Sequence, residues 1–165
     1  YYTMDDLVAE QTVVTNIYTT LDEALVEITG VPGSMENLAA VFDAFAAENL
    51  NVDMISQGVG VSNTWDISFT VQCADTGRVE PIIAGLASRI DGISTAVEQD
   101  IAKVTVGGLG METQSGVASR VFRCMADVGI SIKAITTSET KIALVVDTDQ
   151  LHTAVAAIKK EFGLT

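Results

Sequence analysis

The chain states one pattern twice, and that tandem repeat restricts its fold more than any other feature does. Leu50, Val52 and Ile55 in "NLNVDMISQG" recur eighty positions later as Ile130, Ile132 and Ile135 in "GISIKAITTSET". Ala24 and Ala102, Val26 and Val104, and Gly30 and Gly108 match at an offset of 78, whereas Val41 and Val121, and Phe42 and Phe122, match at 80. The two extra residues belong to a longer first turn in the second copy, "GLGMETQSG". The offset falls to 72 at Asp75-Thr76 and Asp147-Thr148, because the first copy has the longer hairpin.

Each copy reads as the same succession of elements. In the first, "ALVEI" at 24–28 alternates as a half-buried strand and stops at Gly30 before the turn-prone "VPGS". Leu38, Val41, Phe42, Phe45 and Ala46 recur at helical spacing. Residues 50–56 and 64–71 alternate again around the glycine-containing "GVGVSN", which predicts a hairpin. Val79, Ile82, Ile83, Leu86 and Ile90 mark a second helix, and 93–97 a last strand, giving βαββαβ. The second copy has a strand at 102–107, a helix at about 115–128, strands at 130–136 and 140–146, and a helix at 148–162, then ends one strand short. The β-branched segment "TVVTNIYTT", residues 12–20, has no counterpart in the first copy. Since an open sheet edge is a liability, this segment is expected to complete the second sheet. The predicted units are 22–99, inserted, and 12–20 plus 101–164, discontinuous. The fold class is α+β: two ferredoxin-like βαββαβ units, each an antiparallel four-stranded sheet with both helices on one face. Such layers leave a sheet face and edges needing partners, so pairing of units in a homodimer is expected.

Composition removes several functions. With 22 acidic residues against 9 basic ones, the net charge of -13 repels a phosphate backbone and argues against nucleic acid as a partner. No apolar run approaches the ~20 residues of a membrane span, and "YYTMDDLVAE" has neither the basic start nor the apolar core of a signal peptide. A cytoplasmic location is the expectation. Tyr1, with the first Met at position 4, points to an internal boundary of a longer polypeptide. Cys73 and Cys124 belong to no metal-binding pattern and read as small core residues, one in a strand and one in a helix. His152, the only histidine, falls on a solvent-facing helix position with no nucleophile or metal partner nearby in sequence. No metal, cofactor or catalytic constellation emerges.

Two stretches carry a resemblance. The run from "KVTVGGLGM" through "GISIKAITTSETKIALVV" to "KKEFGL" resembles the C-terminal regulatory region of aspartate kinase, and "VEITGVPGSMENLAAVFDAFAAENLNVDMISQ" is similar to that family's other regulatory unit. The resemblance covers about residues 12–164 and implies tandem ACT domains. Nothing in the chain resembles the family's kinase domain, and the glycines of "GGLG" lack the Lys-Ser/Thr pair of a P-loop. The resemblance therefore implies an allosteric module, part of a kinase or a separate regulatory subunit, that partners a catalytic domain and binds lysine and/or threonine.

An amino-acid effector needs donors for its carboxylate and acceptors for its ammonium. Free N–H groups at the first helix of each unit supply the former. In the first unit the candidates are Ser34, Met35, Glu36, Asn37 and Leu38, with Asp53, Met54, Ile55 and Gln57 from the neighbouring strand. In the second they are Thr113, Gln114, Ser115, Val117 and Ala118, with Ser131, Ile132 and Ile135. Family resemblance implies that effectors lie where two units meet. Against the family's pattern of Asp, a basic residue, Pro and Gly, this chain has Gly33, Ser34, Met35 and Glu36, and Ser115 stands where Pro is usual. Asp53 either faces solvent or meets a cation; Glu36 either meets the ammonium or only complements the helix dipole. Thr136, Thr137 and Ser138 either bond the hairpin or touch an effector, and Met35, Met54 and Met111 read as core fillers. The rival function is a structural dimerisation module without a working effector site. An acyl phosphate hydrolase is disfavoured, since residues 30–37 hold no cation for a phosphate.

Overall fold

The computed structural model describes residues 14–108, 114–138 and 140–164. In chain order the elements are β1 (Asn16–Thr20), β2 (Glu23–Pro32), α1 (Met35–Ala47), β3 (Asp53–Val59), β4 (Thr64–Gln72), α2 (Thr76–Ala87), β5 (Ser94–Glu98), β6 (Ile101–Gly107), α3 (Gln114–Asp127), β7 (Ala134–Thr137), β8 (Lys141–Asp147) and α4 (Leu151–Phe162). Short 3₁₀ turns precede β4, α2 and α4. The chain divides into two compact units, residues 22–101 and the remainder. The inserted unit has a four-stranded sheet in the order β3-β4-β2-β5, and the discontinuous unit one in the order β1-β6-β8-β7. β1 lies antiparallel beside β6, with Ile17 opposite Val106 and Thr19 opposite Val104.

Alternation along the central strand builds each core. In the inserted unit Ala24, Val26 and Ile28 of β2 are buried with Val41 and Phe45 of α1 and Val79, Ile83 and Leu86 of α2. Phe69 of β4 packs edge-on against Phe45, ring centroids 5.2 Å apart. The discontinuous unit repeats the arrangement with Ala102, Val104 and Val106 under Val117, Val121, Met125 and Ile158. Arg120 binds both Oε1 of Glu161, at 2.9 Å, and the Glu161 carbonyl, and its guanidinium lies 4.3 Å from the Phe162 ring, tying α3 to α4.

Two strands begin later than the apolar pattern predicts. Leu50 and Ile130 are helix-closing residues. Asn49 adopts φ 53° and Gly129 φ 74°, and Leu50 N–H donates to Phe45 O and Ile130 N–H to Met125 O. These are Schellman closures, whose apolar last residue folds back on the helix. β3 thus starts at Asp53 and β7 at Ala134. Ile55 is 53% exposed, in the bulged stretch of β3 between Asp53 and Ser56. Met35 is exposed too, whereas Met54 is buried; Met111 lies outside the described residues. Cys124 is buried in α3 as expected, but Cys73 sits half-buried in the 3₁₀ turn after β4. His152 is exposed.

β2 carries a bulge between Ile28 and Val31, where Gly30 takes φ 78° and a Cβ would fall 2.3 Å from the Gly92 carbonyl oxygen. Gly92 has φ 84°, and its nearest contact is at 3.9 Å. Both positions penalise a side chain conformationally, but only Gly30 also meets rigid backbone. Gly92→Ala is expected to cost about 1 kcal/mol and Gly30→Ala at least about 2 kcal/mol more, as read from urea unfolding midpoints.

Candidate effector site

Strand direction decides which candidate residues meet. β2 and β3 are each antiparallel to β4, so they run the same way and begin at the same end of the sheet. Pro32 pairs with Thr64 at the end that leads into α1, while Leu25 and Asp53 both pair with Thr70 at the other. Seven residues along the strand separate these levels, roughly 20 Å. Ser34, Met35, Glu36, Asn37 and Leu38 therefore cluster at one end and Asp53, Met54 and Ile55 at the other, with Gln57 between them opposite Ile67.

The first-turn cluster satisfies much of its own hydrogen bonding. Ser34 is the N-cap of α1, its Oγ accepting from Asn37 N–H at 3.1 Å, and Leu38 N–H donates to the Ser34 carbonyl. Asn37 Nδ2 donates to the Pro32 carbonyl at 3.0 Å. Two amides that a carboxylate would use are thereby occupied, and exposed Glu36 complements the helix dipole without a basic residue in the turn. Gly33 N–H donates to the Asn63 carbonyl, and a Cβ on Gly33 would lie 2.7 Å from the Trp65 indole nitrogen. The chain's single Trp is thus packed on the first turn.

At the opposite end the backbone is strained. A bulge between Asp53 and Ser56 holds buried Met54 at φ 54°, and Asp53 Oδ1 accepts from Met54 N–H at 2.9 Å. Thr70 Oγ1 donates to the Asp53 carbonyl. Exposed Asp53 lines a cleft of about 160 Å³ with Asp22, Glu23, Asn51 and Gln72. Asp22, Glu23 and Asp53 give this cleft an acidic lining. Gln57 is exposed, its Nε2 donating to the Gly58 carbonyl.

The second unit shows the same separation. Thr113 lies outside the described residues, and Gln114 and Ser115 open α3, in which Val117 is buried and Ala118 half-buried. Gly108 N–H donates to the Thr140 carbonyl, placing the end of β6 beside the β7–β8 hairpin. Ser131 and Ile132 precede β7 at its other end, and half-buried Ile132 and Ile135 pack on the core. Lys133 pairs with Asp147 at 3.2 Å. Thr136 is half-buried and Thr137 and Ser138 are exposed, with Ser138 N–H bonded to the Lys141 carbonyl.

Sequence reasoning missed the residues that frame each turn from the adjoining strands. These are Asn63 and Trp65 in the inserted unit, and Asn16, whose buried Oδ1 has no partner among the described residues, in the other. A Cβ on Gly107 would lie 2.7 Å from that oxygen. Register, which single-sequence periodicity leaves open, is what brings them there.

Comparison with known proteins gives the geometry a context. An ACT domain model matches residues 104–162. An aspartate kinase of Stutzerimonas stutzeri is 36% identical over 155 residues, 94% of this chain but 38% of that enzyme. The regulatory subunit of aspartate kinase from Thermus thermophilus, in its ligand-free form, superposes with a TM-score of 0.83 at 29% identity, covering 91% of this chain and 99% of that one. A chain from a structure of aspartokinase alpha and beta subunits gives 0.83 at 32% identity, covering 92% and 99%.

The chain belongs to the aspartate kinase family. It corresponds to the regulatory ACT portion of aspartate kinases, and it spans about 38% of the length of the curated relatives it matches first. Within that portion the two cysteines are poor nucleophiles. Burial, then the charges of Asp22 and Glu23, raise the Cys73 thiol above its ordinary value, and burial followed by Glu161 does the same for Cys124. Both stay protonated near neutrality. Alkylation of the native protein should therefore be slower than that of the unfolded chain, with a rate that climbs as pH passes the ordinary thiol value. Mass spectrometry of timed iodoacetamide samples reads this. Ser34→Ala should remove about 1 kcal/mol of stability while leaving the far-ultraviolet spectrum unchanged, measured by denaturant titration.

Proposed function

We propose that the chain is the effector-sensing module of an aspartate kinase, taking lysine and/or threonine as the end-product signal and controlling an attached or associated catalytic domain. The observation carrying this reading is the match over nearly the whole length of regulatory subunits of aspartate kinase. The placement of the candidate residues supports it. A turn that offers amides and an acidic cleft that suits an ammonium lie at opposite ends of one sheet. A small zwitterion spans nothing like roughly 20 Å, so an effector that uses both kinds of group needs two units side by side. Ser34–Leu38 or Gln114–Ala118 would then face Asp53–Gln57 or Ser131–Ile135 of another unit, as expected of a homodimer. Binding shifts the attached kinase only if the effector prefers one arrangement of units over another.

A second reading, a dimerisation module whose sites have lapsed, has one observation in its favour: the inserted unit's first turn is closed on itself by Ser34 and Asn37. Isothermal titration and thermal unfolding separate the two readings. At a hundredfold excess over Kd an effector stabilises by about 2.7 kcal/mol, which raises Tm by several degrees. The Trp65 emission is a second readout, because its indole rests on the first turn. A folded dimer that neither lysine nor threonine stabilises leaves the dimerisation reading standing.

A further inference from the structure

The inserted unit carries an extension that its core does not need. The offset between the two copies falls from 80 to 72 across the β3–β4 hairpin, so that hairpin is longer than the β7–β8 one by 80 less 72, eight residues. The shorter hairpin closes simply, with Ser138 N–H bonded to the Lys141 carbonyl. In the longer one Ile67, Phe69 and Val71 of β4 enter the core, and none of 57–65 does. The extension is nonetheless tightly built. Thr64 N–H and Oγ1 both donate to the Val61 carbonyl, and Gly60 N–H donates to the Thr64 carbonyl at 2.7 Å. Ser62 and Asn63 take φ 58° and 62°, the left-handed pair that a type I′ turn requires.

This turn holds Val59 and Val61 out into solvent, 76% and 84% exposed. Met35, 68% exposed, opens α1 at the same end of the sheet, where Pro32 pairs with Thr64 and Val59 with Trp65. These three are the most exposed large apolar side chains among the described residues. One exposed apolar side chain is ordinary, whereas several gathered at one end of a domain mark a surface for a partner. Charge is absent from the hairpin tip as well. Residues 57–65 include no acidic or basic side chain, in a unit whose 13 acidic and 2 basic residues over 22–101 give a net of -11. Depletion of charge beside exposed apolar groups is the composition of an interface centre.

The tip is also latched to the first turn. Gly33 N–H donates to the Asn63 carbonyl at 3.1 Å, and a Cβ on Gly33 would lie 2.9 Å from that oxygen and 2.7 Å from the Trp65 indole nitrogen. A displacement of the first turn therefore either carries the tip with it or breaks this bond.

We propose that the β3–β4 tip, through Val59 and Val61, docks on an uncharged apolar patch of the kinase's catalytic portion, and that the Gly33–Asn63 latch ties this docking to occupancy of the first turn. The inference rests on the effector-sensing reading and names the surface by which the signal leaves the module. The relatives indicate the partner, since this chain matches 38% of their length and 100 less 38, or 62%, is the rest of the enzyme. Linkage makes the coupling reciprocal: the factor by which docking alters effector affinity is the factor by which the effector alters docking.

Hydrogen exchange of residues 57–65, read by mass spectrometry with and without lysine or threonine, tests the proposal in the 165-residue chain and in the complete kinase, whether that is one polypeptide or two subunits. Exchange at the tip should be slower in the complete kinase by about tenfold, and either amino acid that binds should change that protection. The double exchange Val59→Ser with Val61→Ser replaces two exposed side chains and leaves the fold intact. It should abolish the extra protection and weaken effector control of kinase activity about tenfold, while the isolated chain binds the effector as before in isothermal titration. Equal exchange in the two samples, or protection that survives the double exchange, overturns the proposal, and so does protection that appears in the isolated chain as its concentration rises, which assigns the tip to a second copy. Tip protection in the complete kinase that answers to neither amino acid removes the effector reading and keeps the docking. Effector control without tip protection does the reverse.

Discussion

Phe69 lies between Phe42 and Phe45, with ring centroids 5.9 and 5.2 Å away, and everything in the inserted unit depends on this meeting of a strand with a helix. An antiparallel sheet hides one face only if residues two apart along its strands meet residues three and four apart on the helices above. Ala24, Val26 and Ile28 meet Val41, Phe45 and Val79 on those terms, and Ala102, Val104 and Val106 meet Val117, Val121 and Ile158. Once those faces lock, connection lengths, edges and turns are consequences. Gly30 must be glycine because the bulge brings the Gly92 carbonyl against it, and the later strand starts follow from helix closures at Asn49 and Gly129.

The same two periodicities made the fold class legible without coordinates. Val41, Phe45, Val79, Ile83 and Leu86 stand out at helical spacing, and all are buried. What periodicity misreads is an apolar residue with a local task. Leu50 and Ile130 look like the first residues of strands because they are buried and precede alternation, yet their burial closes a helix. Within edge strand β3 Met54 is buried and Ile55 exposed, and the bulge that sets their directions does not show in the periodicity.

The candidate site was legible only as its separate parts. Residue chemistry picked out Ser34 and Asn37 at a helix start and Asp53 in a strand, and each makes specific local bonds. Their mutual placement required strand direction, which follows from β4 lying between β2 and β3. Neighbours such as Trp65 and Asn63 required register as well, since Trp65 reaches Gly33 only through its pairing with Val31. No amount of chemistry at single positions supplies either.

Duplication gives a chain two copies of every surface, and divergence then decides which copies suit one another. The core positions of the two units stayed apolar because each must bury a sheet face alone. The exposed positions were under no such restriction, and they carry the differences: an inserted unit with 2 basic residues, a second with 7 in residues 102–165, and Asp43 where the other helix has Arg123. A polar exchange on an exposed helix face changes stability little, within about 0.5 kcal/mol. The same exchange doubled across an interface decides between partners, because repulsion excludes the wrong pairing more sharply than attraction rewards the right one. Divergence is therefore written at the exposed positions, while the buried ones keep the repeat legible.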